Sequence, residues 1–273
     1  MTAAVLRAIP VIAATALVVA LAAGCASKPA AEQQAPQQQA PLPPPKQQEA
    51  SPQVRSQIRA ELAAGYYERG QLEVALEELR EAVKLDPSNV KAWNVYGLVY
   101  STLGENSKAE ESFQRALQLA PQDSEARHNW GWYLCTHGRA RESIAEFEAA
   151  LRNPLYRTPE IALVNAGKCS ASLGNIAAAE SYFTRALQRA PGNAVAAYNL
   201  ALLAYKASRL PDARGWMKFV MQQANPAPEA LYLGMCIERT LGDSQAELSY
   251  VSQLRNRYPD AAETKAIATG TCD

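Results

Sequence analysis

The sequence predicts an all-α fold: a right-handed superhelix of about six helix-turn-helix repeats, roughly twelve helices followed by a C-terminal tail. Three observations predict it. A block of small and aromatic residues returns at a step of about 34 residues. Each block is divided by a Gly and closed by a turn that contains Pro, as expected of two helices per unit. Hydrophobic residues make up 48% of the 273, but alanine inflates that share and only four are Phe, so a thin continuous core fits better than a thick globular one.

The best copy of the block is Val90 to Asp123, with Trp93, Tyr96, Gly97, Tyr100, Gly104, Ala109, Phe113, Ala116 and Pro121. This order and spacing resemble the tetratricopeptide repeat. Residues 56–89 carry Leu62, Tyr66, Gly70, Ala75, Leu79 and Ala82 in the same register. The first helix of that unit should end near Gly70 and the second run from about Leu72 to Leu85, because Asp86-Pro87 cannot continue a helix. Ala75 and Ala109 are small where paired helices cross, and Phe113 fills the space beside them.

Residues 124–159 keep Trp130, Gly131, Gly138, Phe147 and Ala150 but end in a longer loop, Asn153 to Pro159. Residues 160–193 recover the period with Ala166, Gly167, Gly174, Ala179, Phe183, Ala186 and Pro191. Residues 194–226 fit at Leu200, Ala201, Ala213 and Met217, while Ser208 stands where the other units have Gly. Residues 227–259 form a degenerate last unit that keeps Leu233, Gly234, Ala246 and Tyr250, as a capping repeat facing water should. Residues 260–273 are expected to be a short helix or tail, which places the repeat domain at 53–259.

The N-terminus reads as an export signal over residues 1–24, with Arg7 before an apolar stretch from Val11 to Ala23 that is too short for a bilayer span. Its end, Leu21-Ala22-Ala23-Gly24-Cys25, resembles a bacterial lipobox. That resemblance implies a lipid on Cys25 and, since Ala26 rather than Asp follows, an outer-membrane location facing the periplasm. Residues 25–52 are rich in Pro and Gln and lack aromatic residues, the composition of a disordered tether roughly 30 Å long as a coil.

Formal net charge is zero and no long basic block occurs, which argues against nucleic acid as a partner. His128 and His137 have no helical Glu partner in metalloprotease spacing and read as a repeat-surface and a turn histidine. No serine elbow or isolated carboxylate pair is present. The expectation is a protein that is not an enzyme, with no metal, no small-molecule substrate and no cofactor beyond the covalent lipid on Cys25.

Setting Cys25 aside leaves Cys135, Cys169, Cys236 and Cys272. In an oxidising compartment an even number suggests pairing. Cys135 and Cys169 fall on consecutive first helices, which pack side by side, so a bridge between them is expected; the alternative is that both are small buried apolar residues. Cys236 with Cys272 would then tie the tail to the last unit.

Function should lie on surfaces, and in this architecture the first helix of each unit lines the concave side. Asn129, Asn165 and Asn199 share one position in consecutive units, with Asn94 one place earlier in its own. An amide column of this kind can hold the backbone of an extended peptide. Tyr67, Leu98, Trp132, Lys168, Tyr198, Leu202 and Tyr205 surround it as candidate anchors. The competing readings are that the Asn side chains bond neighbouring helices and that the aromatics pack between repeats, with the partner then taken by repeat one around Leu62 and Tyr66.

A lipobox, a Pro/Gln tether and about six tetratricopeptide repeats together resemble the PilW (PilF) family of type IV pilus biogenesis lipoproteins, the pilotins. The residues carrying this include Leu62 to Gln71, Asn129-Trp130-Gly131-Trp132-Tyr133-Leu134-Cys135 and Asn165 to Cys169. The resemblance implies an assembly factor that takes the pilus secretin subunit to the outer membrane and supports its oligomerisation and pilus stability. The alternative is a general periplasmic adaptor lipoprotein that scaffolds peptidases or cell-wall enzymes on the same architecture.

Overall fold

The computed structural model describes residues 50–222, 225–270 and 272. The expected signal peptide, Cys25 and nearly all of the tether lie outside the described residues. Thirteen helices occupy the described residues: α1 Pro52–Glu68, α2 Leu72–Leu85, α3 Val90–Thr102, α4 Asn106–Leu119, α5 Ser124–Thr136, α6 Ala140–Leu151, α7 Pro159–Ser172, α8 Ile176–Arg189, α9 Ala194–Lys206, α10 Leu210–Val220, α11 Pro228–Leu241, α12 Ser244–Arg257 and α13 Ala262–Ala266.

Local chemistry sets most of these boundaries. Ser51 accepts the Val54 amide and Pro52 starts α1, so the first helix begins ahead of the Ser56 expected for the first unit. Asn89, Asp123, Asn193 and Asp243 cap α3, α5, α9 and α12 in the same way, each accepting from the amide three residues on. The first helices end at residues in the left-handed region: Gly70, Gly104, Gly138, Gly174 and Gly242. Repeat five has Ser208 there, with φ at 57°, the one described non-glycine residue at positive φ.

Helices pair in sequence order, α1 with α2 through α11 with α12, and each first helix also touches the next first helix. No second helix contacts another second helix among the described residues. The odd-numbered helices α1 to α11 therefore form the inner layer of an all-α superhelix.

The core is a chain of small clusters between neighbours, with Leu79, Phe113, Phe147, Phe183, Met217 and Leu254 fully buried. Ion pairs repeat with the fold. Arg59 meets Glu78 at 2.7 Å and Arg127 meets Glu146 at 2.5 Å across equivalent helix pairs. Arg139–Glu110 and Arg209–Glu180 join consecutive repeats in a second shared register.

The loop that lengthens repeat three folds back over α5. Asn153 donates to the Ser124 hydroxyl at 3.0 Å and the Tyr156 hydroxyl meets His128 Nδ1 at 2.6 Å. His128 is consequently half-buried in the repeat interior and edge-on to Phe147, not a surface histidine. The extra loop residues cover it, which the 34-residue register alone does not anticipate.

Candidate functional site: the concave face

The inner layer presents the face on which the sequence places its binding residues. Trp132 on α5 projects from it, 39% exposed, and Lys168 on α7 is exposed with no carboxylate in ion-pair reach among the described residues. Tyr198 and Asn199 on α9 are half-buried and line a cleft of about 550 Å³ with Lys168, Val195, Pro226 and Glu229. Burial raises the Tyr198 hydroxyl pKa, with Glu229 and Glu263 adding to the shift, so the phenol stays a neutral donor.

The asparagine column is only partly available. Asn94 is buried, 4% exposed, and its Oδ1 accepts from Asn129 Nδ2 at 3.2 Å. It presents little surface to the groove, because its place one residue earlier commits it to the contact between α3 and α5. Asn165 Nδ2 faces His128 Nε2 at 3.2 Å, and Asn199 Nδ2 donates to the Val195 carbonyl at 2.7 Å. Each of these amides commits one donor inside the protein. A second N–H on each side chain remains for a ligand.

Several of the expected anchors also serve packing. Leu98 lies against the cluster of Phe113, Trp130 and Leu134, and the Tyr67 hydroxyl accepts from Thr102 at 3.4 Å. At the other end, Leu202 and Tyr205 pack against the cluster around Met217 and Ile237, and the chain's own tail crosses them. The open part of the face is thus centred on α5, α7 and α9.

Two residues there escaped the sequence reading. Ile161, 46% exposed, and Val195, 50% exposed, both stand second in their units on the inner layer. An apolar residue at a position that should be wetted was the available signal. Elsewhere Val54, Ile58 and Leu62 form an exposed stripe on α1, each about half exposed and spaced by one helical turn.

Cys135 on α5 and Cys169 on α7 are joined by a disulfide, with Cα atoms 5.9 Å apart, and Cys236 on α11 is joined to Cys272, with Cα atoms 5.5 Å apart. The first bridge ties together the two helices that carry Trp132 and Lys168. Among the described residues no group of three or more His, Cys, Asp or Glu is arranged to hold a metal, and no helix is long and apolar enough to cross a membrane.

Models described as tetratricopeptide repeat match residues 61–124 and 128–194, and a second such model matches 171–233. A solved structure of PilW, described as a widely conserved type IV pilus biogenesis factor, superposes with a TM-score of 0.72 at 36% identity, covering 78% of this chain and 98% of that one. The chain belongs to this tetratricopeptide-repeat family of type IV pilus biogenesis factors.

A second member, PilF of Pseudomonas aeruginosa, superposes with the same TM-score of 0.72 at 25% identity, covering 81% of this chain and 99% of that one. The sequence described as type IV pilus assembly protein PilF from that organism is 28% identical over 203 residues, 74% of this chain and 81% of its own length. A PilW/PilF-type protein therefore spans almost the whole described repeat region. The likeness is not confined to isolated repeats, which unrelated repeat proteins also share.

Proposed function

We propose that this chain is an outer-membrane lipoprotein that binds the type IV pilus secretin subunit through its concave face and supports its localisation and oligomerisation, without enzymatic chemistry of its own. The observation that carries the reading is the end-to-end likeness to PilW, 98% of whose length is matched, on a chain whose inner face offers an open binding patch. In that patch Trp132, Ile161 and Val195 supply exposed apolar area and Lys168 an uncommitted positive charge. Such a mixture of aromatic, aliphatic and cationic groups around a groove is what a protein partner uses for anchoring.

Anchoring in this account comes from acyl chains on Cys25, at about 0.8 kcal/mol per buried methylene. Chemical crosslinking in the periplasm, followed by identification of the trapped protein, tests the partner: the pilus secretin is expected, and a peptidase or cell-wall enzyme would replace this reading. Membrane fractionation of Cys25→Ser tests the anchor. The variant should leave the outer membrane with its repeats folded, and its retention there without a partner would overturn the anchor.

A further inference from the structure

The cleft beside α9 carries opposite charges at its two rims. Lys168 on α7 and Glu229 in the first turn of α11 line the same space of about 550 Å³, with Tyr198 and Asn199 of α9 as its floor. α9 touches both α7 and α11, which do not touch each other. The ammonium and the carboxylate are thus held apart by the width of a helix. Both side chains are exposed, and neither has an opposite charge within ion-pair reach among the described residues. Beyond Glu229 the adjoining cavity adds Glu263 and Lys206, so the α11 side holds two carboxylates against one ammonium.

Between the rims the surface is largely apolar. Val195 is 50% exposed there and Pro226 closes the wall. Asn199 keeps one N–H free, enough to hold a passing backbone carbonyl. A ligand with a single charge would meet one attractive and one repulsive rim. A ligand with both charges, in matching order around an apolar residue, meets two attractive rims and an apolar seat.

We propose that this cleft selects a partner segment in which an apolar residue is flanked by an acidic residue on one side and a basic residue on the other. The acidic residue lies at Lys168 and the basic one at Glu229, which fixes the direction in which the segment crosses α9. Packed helices lie about 8–10 Å apart, so α7 and α11 are separated by roughly 18 Å. An extended chain advancing about 3.3 Å per residue, with its charged side chains reaching outward, spans this with the two charges about three to five residues apart. The selection rests on the concave face being the surface that a protein partner uses, as proposed above, and it is tested on this chain alone.

The test is a random 12-residue peptide library, displayed on phage and sorted against the full chain and against its Lys168→Glu/Glu229→Lys variant, which has the same net charge. The wild type should enrich peptides with an apolar residue between an acidic and a basic one, in one consistent order. The double variant should enrich the opposite order, and wild-type peptides should bind it roughly five- to thirtyfold more weakly, two attractions having become two repulsions. Lys168→Glu alone should change the preference at the acidic position only, and Glu229→Lys alone at the basic position only. An unaltered far-ultraviolet circular dichroism spectrum checks that each variant is folded, as expected for exposed side chains.

Enrichment of the same peptides by the wild type and the double variant overturns the selection, as does enrichment without charge order or no enrichment at all. Charge-ordered peptides enriched by a chain that takes no pilus secretin in cells would support the cleft and count against the proposed function.

Discussion

Gly97 on α3 lies directly against the ring of Phe113 on α4: a Cβ at Gly97 would stand 2.5 Å from Phe113 Cε1. The relationship recurs through the superhelix as Gly131 with Phe147, Gly167 with Phe183 and Gly234 with Tyr250, at the same two positions of each unit. Where the first position is alanine, in Ala63 and Ala201, the second is the slimmer Leu79 or Met217 in the same core clusters. Helix separation within a unit is thus set by a pair of residues that trade volume across one contact.

Gly167→Ala should accordingly destabilise the protein by about 1–3 kcal/mol despite the better helix propensity of alanine, since the fully packed Phe183 ring has nowhere to move. The added atom would sit 2.6 Å from Phe183 Cε1. Combining it with Phe183→Leu should recover part of the loss. Urea titration of the single and double variants measures both.

Ser208 holds a left-handed conformation that the other repeats give to glycine. Ser208→Gly should therefore stabilise repeat five, by about 0.5–1 kcal/mol once the entropy of a flexible residue in the unfolded chain is subtracted. A raised denaturation midpoint with an unchanged slope is the expected result.

His128 is half-buried beneath the repeat-three loop, and this desolvation lowers its pKa to about 4 from the ordinary 6.5. Its Nε2 faces the Asn165 amide nitrogen, an arrangement that suits a neutral ring accepting there. Between these two values the unfolded chain binds the extra proton and the folded one does not. Stability is then fully present above about pH 6.5 and falls as the pH drops toward 4, by up to about 1.4 kcal/mol per pH unit. His128→Gln should lack this slope in denaturation measured across the same range.

Removing the Cys135–Cys169 bridge by a double serine substitution should cost about 2–4 kcal/mol, mainly by freeing the unfolded chain. Because the bridge joins α5 to α7, hydrogen exchange in those helices reports the loss directly. The concave face should keep its residues in place.

Much of this architecture was legible in the sequence. The Gly, Ala, Phe and Pro spacing marks helix pairs because packing at a helix crossing admits few residue types, and Gly70 and Gly104 mark helix ends because few residues tolerate positive φ. The site was less legible, for a physical reason. A residue's position within a repeat tells which layer it faces but not whether a neighbour has already taken its polar atoms, which is why Asn94 proved buried and bonded to Asn129. Nor does repeat register foresee what departs from the period, such as Tyr156 closing over His128 or the tail crossing Tyr205.

In the proposed function the partner is taken on the concave face between α5 and α9. The most direct test places a photo-crosslinking amino acid, in separate full-length variants, at Trp132 on that face and at Ile58 on the exposed stripe of α1, and irradiates intact cells that assemble type IV pili. A crosslink from position 132 to the pilus secretin, and none from position 58, is the expected result. A secretin crosslink from position 58 alone would move the site to repeat one and contradict it.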